Sequence, residues 1–427
     1  MESKERDLIC YNLLNDVFLD NAYASLQLNH YLAEVKDEKD RAYISNLFYG
    51  VLEKNVQLDY IIHRLVSKKP KTSIEVLIKI GLYHMRYMST PSYAAINETV
   101  QLTKRVGKGG VSGFVNAVLR KSDSVALPKE GEVSEVEYLS ATYSVPCWMT
   151  QKLIEQHGYD FAKEFLAYEP SKKTHIRYNS RVTNKEDFEK KLQEFDYSES
   201  ELGYYVTHNL LKSLEKSSFT TQSLASMIAV HCYLPSGLES PTVLDLCGAP
   251  GGKSIYLEEL CPSAKVYCCD VHPHRVELIR KYVKRMKSNV KPTLSDAANI
   301  FPEWFNMCDI VICDVPCSGL GVYKNKPDIL FNKKQTDIDK IKKIQIGILE
   351  NAKNYVKVGG VLCYSTCTIF KEENEDNICA FLESNKNFEL DKIETPLVSD
   401  NNGIVKLFPN TNDGCDGFFV ARLRRVR

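Results

Sequence analysis

From about residue 240 onward, short apolar runs alternate with helix-length segments, and no other feature of the chain restricts its fold as much. The runs are TVLDLC (242–247), KVYCCD (265–270), DIVICDV (309–315) and VLCYST (361–366). Each has the length of a strand, and several are apolar on both faces. Separated as they are by helical segments, they predict a parallel α/β sheet whose central strands are covered on both sides. In such a sheet ligands bind outside the carboxyl ends of the strands, so the residues closing each run are the candidates for function.

The first run opens into Asp245-Leu-Cys-Gly-Ala-Pro-Gly-Gly-Lys-Ser254, a glycine-rich loop leading into a helix. Three ligands suit a loop in that position. A P-loop needs G-x-x-x-x-G-K-S, and aligning Gly252-Lys253-Ser254 with it puts Cys247 where the first glycine must stand. Pro250 also removes a backbone N–H from a cradle that would depend on such groups. The dinucleotide pattern G-x-G-x-x-G is absent. S-adenosylmethionine carries no phosphate; it needs close backbone approach and an acid for its ribose hydroxyls. Asp270, closing the second run roughly 20 residues past the loop, stands where an α/β nucleotide site places that acid. Asp296, after the third strand, is a candidate to face the adenine.

Two later runs close on cysteine: Asp314-Val-Pro-Cys317 and Thr366-Cys367. A single buried cysteine is ordinarily structural. Two at adjacent strand ends beside a cofactor loop point to chemistry, whereas Cys313 and Cys363, earlier on the same runs, read as core. Carbon 5 of cytosine is too weak a nucleophile to accept a methyl group directly. A thiolate adding to carbon 6 turns the ring into an enamine whose carbon 5 can attack a sulfonium methyl, which splits one hard step into easier ones. Free cysteine is only a few per cent thiolate at neutral pH, so such a site must activate it. An acid near ring nitrogen 3 would stabilise the adduct, and Asp314 is placed for that role.

The remainder of the chain, 427 residues in all, exceeds what one core usually serves. The first 120 or so residues read as helices, with Cys10, Leu13, Leu14 and Val17 on one face and Ile74, Leu77, Ile78, Leu82 and Met85 on another. A third, carrying Ala95, Thr99, Leu102 and Val106, stops at the glycines of 107–110. Local basic clusters (Lys68, Lys69, Lys71; Lys104, Arg105, Lys108; Arg120, Lys121) make an RNA-facing surface plausible there, although Lys+Arg and Asp+Glu balance at 55 each. Residues 121–136 read as a linker. Beyond it come a helix around Met149–Glu169, strands at 175–179 and 202–207, a helix from about Lys185 and a helix carrying Gln222. The fourteen cysteines, without an export signal or a membrane-length apolar stretch, predict reduced thiols in a cytoplasmic protein. Their C-x3-C spacing on strand-like runs argues against zinc, and no metal is expected.

These residues resemble the RNA 5-methylcytosine methyltransferase family, and within it the Sun-type branch acting on small-subunit (16S) ribosomal RNA. DLCGAPGGKS is similar to the family's cofactor loop, DVPCSGLG with KPDI (326–329) to its fourth motif, YSTCT with EENE (372–375) to its sixth, and DGFFVARL (416–423) to its final hairpin. RAYISNLFYGVLEKNVQLDYII (41–62) and SYAAINETVQLTKRVGKGGVSGFVNAVLRK (92–121) resemble the helical RNA-binding domain of the antitermination factor NusB. The resemblance implies an α/β, Rossmann-like class I S-adenosylmethionine methyltransferase domain at 237–427. It also implies an all-α NusB-like domain at 1–122 and a small α+β (RRM-like) connecting domain at 137–236. It makes Cys367 the nucleophile, Cys317 the release residue and Asp314 their acid. The implied cofactor set is Cys247, Gly248, Ala249, Pro250, Gly251, Gly252, Lys253, Asp270, Arg275, Asp296 and Asp314. The implied partner is ribosomal RNA before subunit assembly, met by a monomer. Two departures stand out: Gln222-Ser-Leu-Ala-Ser226 where the family has Q-D-x-S-S, and Lys324-Asn325 where it has two arginines. A transfer-RNA cytosine-5 enzyme, and an RNA-binding assembly protein with a vestigial methyltransferase domain, are the other readings.

Overall fold

A computed structural model describes residues 3–20, 24–332, 335–398, 401–412 and 415–427. The chain forms two compact units, Met1–Ala167 with Tyr323–Lys334, and Tyr168–Val322 with Gln335–Arg427.

The first unit is helical. Helix Thr72–Tyr87 runs through its middle and is buried from Glu75 to His84, which is why no polar face interrupts its apolar residues. Cys10, Leu13, Leu14 and Val17 of helix Ser3–Asp20 join its Leu77, Ile78 and Leu82 in one core. The buried Lys79 ammonium there is matched: its Nζ lies 2.7 Å from Asp59 Oδ1 and donates to Asn55 Oδ1 at 2.6 Å. Helix Ser92–Arg105 ends where Gly107 takes φ +74°, as its glycines predict. The single helix expected around Met149–Glu169 is two, Cys147–His157 and Tyr159–Ala167. Gly158, at φ +87° and ψ 163°, breaks it. The segment 323–334 also belongs to this unit. Phe331 meets Phe18 edge-on at 5.3 Å, Asp328 accepts the Ala24 N–H, and Lys324 Nζ donates to Leu166 C=O at 2.9 Å.

The second unit begins with a small antiparallel sheet of β1 (Thr174–Tyr178), β2 (Tyr197–Ser200), β3 (Gly203–Val206) and β4 (Phe219–Thr221), ordered β2-β3-β1-β4. Helix Lys185–Leu192 covers it through Phe188 and Leu192. Strands β2 and β4 escape the sequence pattern: one is the polar YSES and the other only three residues long. Gln222 is not within a helix. It precedes helix Leu224–Tyr233, and the Ser223 hydroxyl accepts the Ser226 N–H at 3.3 Å as its N-cap. Serine and aspartate are equally good N-caps, so this departure from the family leaves the helix start intact.

The principal sheet holds β5 (Thr242–Asp245), β6 (Lys265–Asp270), β7 (Lys291–Leu294), β8 (Cys308–Asp314), β9 (Val356–Thr366), β10 (Phe388–Leu390), β11 (Ile404–Leu407) and β12 (Phe418–Arg425). Their order is β10-β12-β9-β8-β5-β6-β7, with β11 beside β12. Strands β5 to β9 are mutually parallel, and β12 inserts antiparallel to β9. This is a Rossmann-like sheet. Its order reverses between β5 and β8, which opens the crevice where such sheets bind ligands. No described helix is long and apolar enough to cross a membrane.

Candidate active site

The β5 end of the crevice is made of backbone held close to the sheet. A Cβ on Gly248 would stand 2.4 Å from Cys268 Sγ and 2.6 Å from Asp245 Oδ2, so only glycine fits. Gly248 donates its N–H to Cys269 C=O at 2.8 Å, stitching the loop to β6. Gly251, at φ +109°, turns the chain into helix Gly252–Leu260, and the Ala249–Pro250 bond is cis. Asp245 is wholly buried. Its Oδ2 accepts from Ser254 Oγ at 2.5 Å, Oδ1 has no hydrogen-bond partner, and burial lifts the carboxyl to about 7. Burial likewise pushes the Cys247 thiol well above its ordinary value.

Asp270 ends β6 with its carboxylate oriented from two sides. Oδ1 accepts the His272 N–H at 3.0 Å, and Oδ2 lies 2.9 Å from Arg275 Nη1. Arg275 also donates to Ala249 C=O at 3.2 Å, so one guanidinium ties the acid to the loop. The Ser295 N–H donates to Asp270 C=O, which brings the residue beside Asp296 to the same edge. Asp296 itself accepts from the Ala298 N–H at 2.9 Å and from Asn299 Nδ2 at 3.2 Å, shaping its own turn. Lys253 reaches away from the loop and donates to Asp314 Oδ2 at 2.8 Å. Burial opposes its charge, but the Asp314 carboxylate outweighs that and holds the ammonium above the usual lysine value.

The β8–β9 end is where the structure brings the two cysteines together. Parallel register sets Asp314 against Ser365, so the chains leaving the two strands run side by side. Cys317 Sγ and Cys367 Sγ come within 3.2 Å, both half-buried. The hydrogen bond to Cys367 first, and burial second, push the Cys317 thiol well up. Asp314 Oδ1 accepts from Ser365 Oγ at 2.8 Å, and that hydroxyl bonds the fully buried Tyr233 phenol at 2.6 Å. Gly321 donates its N–H to Cys367 C=O at 2.9 Å. A Cβ there would lie 2.2 Å from Gly417 C=O, which explains a glycine in both DVPCSGLG and DGFF. Cys313 and Cys363 are fully buried among core residues.

Behind the thiols lies a polar cluster that the sequence reading does not single out residue by residue. Gln345 Nε2 donates to Pro316 C=O at 2.9 Å and to Glu373 Oε2 at 3.0 Å; the same carboxylate oxygen accepts the Ser318 N–H at 2.8 Å. Asn377 Nδ2 donates to Gln345 Oε1, and Thr366 Oγ1 to Asn374 Oδ1. Gln345 had one available signal: it occupies the buried stripe of helix Gln335–Ala352 together with Ile338, Ile348, Leu349 and Ala352. Ser365 could have been found by pairing the ends of the two strand runs.

In the helical unit Lys68, Lys69, Lys71, Lys104, Arg105, Arg120 and Lys121 are exposed, and Lys108 is half-exposed. Lys324, by contrast, is engaged with the Leu166 carbonyl.

Comparison with known proteins bears on the family and the fold. The family model described as 16S rRNA methyltransferase RsmB/F matches residues 235–424, and that of the NusB family matches residues 6–124. A probable ribosomal RNA small subunit methyltransferase B of Bacillus subtilis is 30% identical over 95% of both chains. Its counterpart in Cronobacter sakazakii is 29% identical over 90% of this chain and 91% of its own. Among solved structures, PH0851 superposes with a TM-score of 0.79 at 25% identity, covering 99% of this chain and 98% of that one. NSun6 from Pyrococcus horikoshii, solved with SFG, gives 0.57 at 19% identity over 66% of this chain and 98% of its own, a likeness of fold.

Proposed function

The chain belongs to the 16S rRNA methyltransferase RsmB/F family, and from that premise we propose that it methylates carbon 5 of one cytosine in small-subunit ribosomal RNA through a covalent adduct on Cys367. The observation that carries this reading is the 3.2 Å approach of two thiols at the carboxyl ends of β8 and β9, with an oriented carboxylate on the residue that closes β8. A methyl transfer to oxygen or to an exocyclic nitrogen needs no thiol; an inert ring carbon does.

S-adenosylmethionine is the methyl donor, and the crevice's own chemistry fits it. The carboxylates of Asp270 and Asp314 end two of the strands around the loop, a setting hostile to polyphosphate and suited to ribose hydroxyls and a sulfonium. Asp270 would hold the ribose, with Arg275 orienting it. The backbone of Cys247–Gly252 would take the nucleoside and methionine, and Asp296 would stand near the base. When bound, the donor supplies an electrophilic methyl group.

The remaining steps belong to the chain's side chains. Cys367 adds as thiolate to carbon 6 of the flipped cytosine. Asp314, oriented by Lys253 and Ser365, meets ring nitrogen 3; acting as the carboxylic acid, it gives nitrogen 3 its proton as the thiolate adds and takes it back when Cys367 is eliminated. Once Cys367 is tied up in the adduct and carries no charge, Cys317 gives its proton to water; after methylation it takes the carbon-5 proton, carbon 5 and carbon 6 regain their double bond, and Cys367 departs as thiolate. Exposed lysines and arginines of the helical unit supply phosphate contacts.

Incubation with labelled donor and three substrates tests the reading: naked small-subunit ribosomal RNA, assembled subunits and bulk transfer RNA. Label recovered as 5-methylcytosine from the naked ribosomal RNA is the expected result. Label confined to transfer RNA overturns the substrate, and label in another base position overturns the chemistry.

A further inference from the structure

Two thiols 3.2 Å apart cannot both carry charge at neutral pH, because the second ionisation would set like charges in contact. The pair therefore gives up at most one proton at neutral pH, and the surroundings decide which sulfur loses it. Those surroundings are unequal. Glu373, the last residue of the short helix Lys371–Glu373, is fully buried, and its Oε2 accepts the N–H of Ser318, the residue after Cys317. Its second donor is the neutral amide of Gln345, and no cationic side chain pairs with it among the described residues. Oε1 has no hydrogen-bond partner at all. An uncompensated carboxylate is thus buried against the P-C loop. On the opposite side the Lys253 ammonium lies within Coulombic reach of Cys367.

We propose that Glu373 is a positioning residue which keeps the remaining proton on Cys317 and so leaves the single negative charge on Cys367. This deepens the reading in which Cys367 attacks and rests on it. The groups facing Cys317 include Cys367, Glu373 and the phenol of Tyr364; Lys253 is among those acting on Cys367. The Asp314 carboxylate is engaged by Lys253 and Ser365. The charges of Glu373 and Lys253 act in the same sense, one disfavouring thiolate at Cys317 and the other favouring it at Cys367. Gln345 fixes the arrangement by holding both Glu373 and the Pro316 carbonyl.

The test is alkylation of the full-length free enzyme, without RNA or donor, by iodoacetamide at early times, each cysteine-bearing peptide being quantified by mass spectrometry. At pH 7 Cys367 should label at least tenfold faster than Cys317. Glu373→Gln keeps an oxygen for the Ser318 N–H and removes the charge, and it should narrow that ratio at least fivefold by raising Cys317 labelling. Equal labelling in the parent, or a ratio unchanged within twofold in a variant that melts like the parent, overturns the proposal. Should Glu373→Gln not fold, the pH profile of the parent decides. The Cys317 midpoint should lie at least one pH unit above that of Cys367, and coincident midpoints overturn the assignment. Methyl transfer surviving in Cys367→Ala would instead sink the nucleophile reading, whatever the labelling ratio.

Discussion

The two ends of the ligand crevice are built on different principles. The β5–β6 end is local: Gly248, Asp245, Ser254, Asp270 and Arg275 fall within about thirty residues, and their contacts are made mainly among themselves. The β8–β9 end is assembled from afar. Its thiols are fifty residues apart in the chain, Tyr233 reaches Ser365 across 132 residues, and Gln345 and Glu373 come from elements between and beyond the strands. A local loop can be recognised as a run of letters, whereas an assembled pair depends on the register of two strands. On the proposed reading, the first end holds the donor and the second controls charge on sulfur.

Substitutions should separate the two ends, and the greatest effect belongs to the thiols. Cys367→Ala should lower methyl transfer on the order of 10^4-fold, while Cys317→Ala should accumulate a protein–RNA adduct, seen as a retarded band on a denaturing gel. Absence of the band with normal product release removes Cys317 from the release step. Asp314→Asn comes next, with a loss of about 10^2- to 10^4-fold in turnover at saturating donor. Donor affinity measured by calorimetry should change little. An equal fall in affinity would move Asp314 to the cofactor end.

At the local end, Asp245 is expected to respond through stability. Its folded value near 7 lies above that of an unfolded aspartate, about 4, so the native state binds the extra proton. The stability it contributes is present below about pH 4 and is lost as pH rises through about 7. Asp245→Asn should therefore melt progressively higher than the parent between pH 4 and 8, the gap reaching up to ~4 kcal/mol. A pH-independent gap would refute the buried neutral carboxyl. Gly321→Ala, at the assembled end, should cost about 3 kcal/mol, since its Cβ would strike the Gly417 carbonyl backbone. Thermal melting at one pH checks this, and an unshifted melt would mean that the close approach can relax. The mildest change is Arg275→Ala, which loosens Asp270 and the loop carbonyl. It should weaken donor binding about tenfold at most, or ~1.4 kcal/mol, with turnover at saturating donor unchanged.

Much of this architecture was legible in the residues. Apolar runs six or seven residues long, rich in β-branched and cysteine side chains, marked β5, β6, β8 and β9, and helical stripes marked the N-terminal unit, because burial imposes a period on any element that covers a core. The polar β2 left no such trace, since a sheet edge facing solvent has no apolar face to display, and the three residues of β4 are too few to show a period. Gly158 was read through as helix because one glycine within a periodic segment is ambiguous until its φ is known.

The amino-acid sequence by itself determined the order of the elements, the shape of the cofactor loop and the presence of cysteine at two strand ends. Those depend on local propensity, backbone sterics and side-chain periodicity, all written within a few residues. Only the tertiary structure decided that the two sulfurs lie 3.2 Å apart, that Lys253 serves Asp314, and that a buried Glu373 stands behind Cys317. Charge on a sulfur follows from every group within a few ångströms of it, and those groups come from segments that meet only once the sheet has formed.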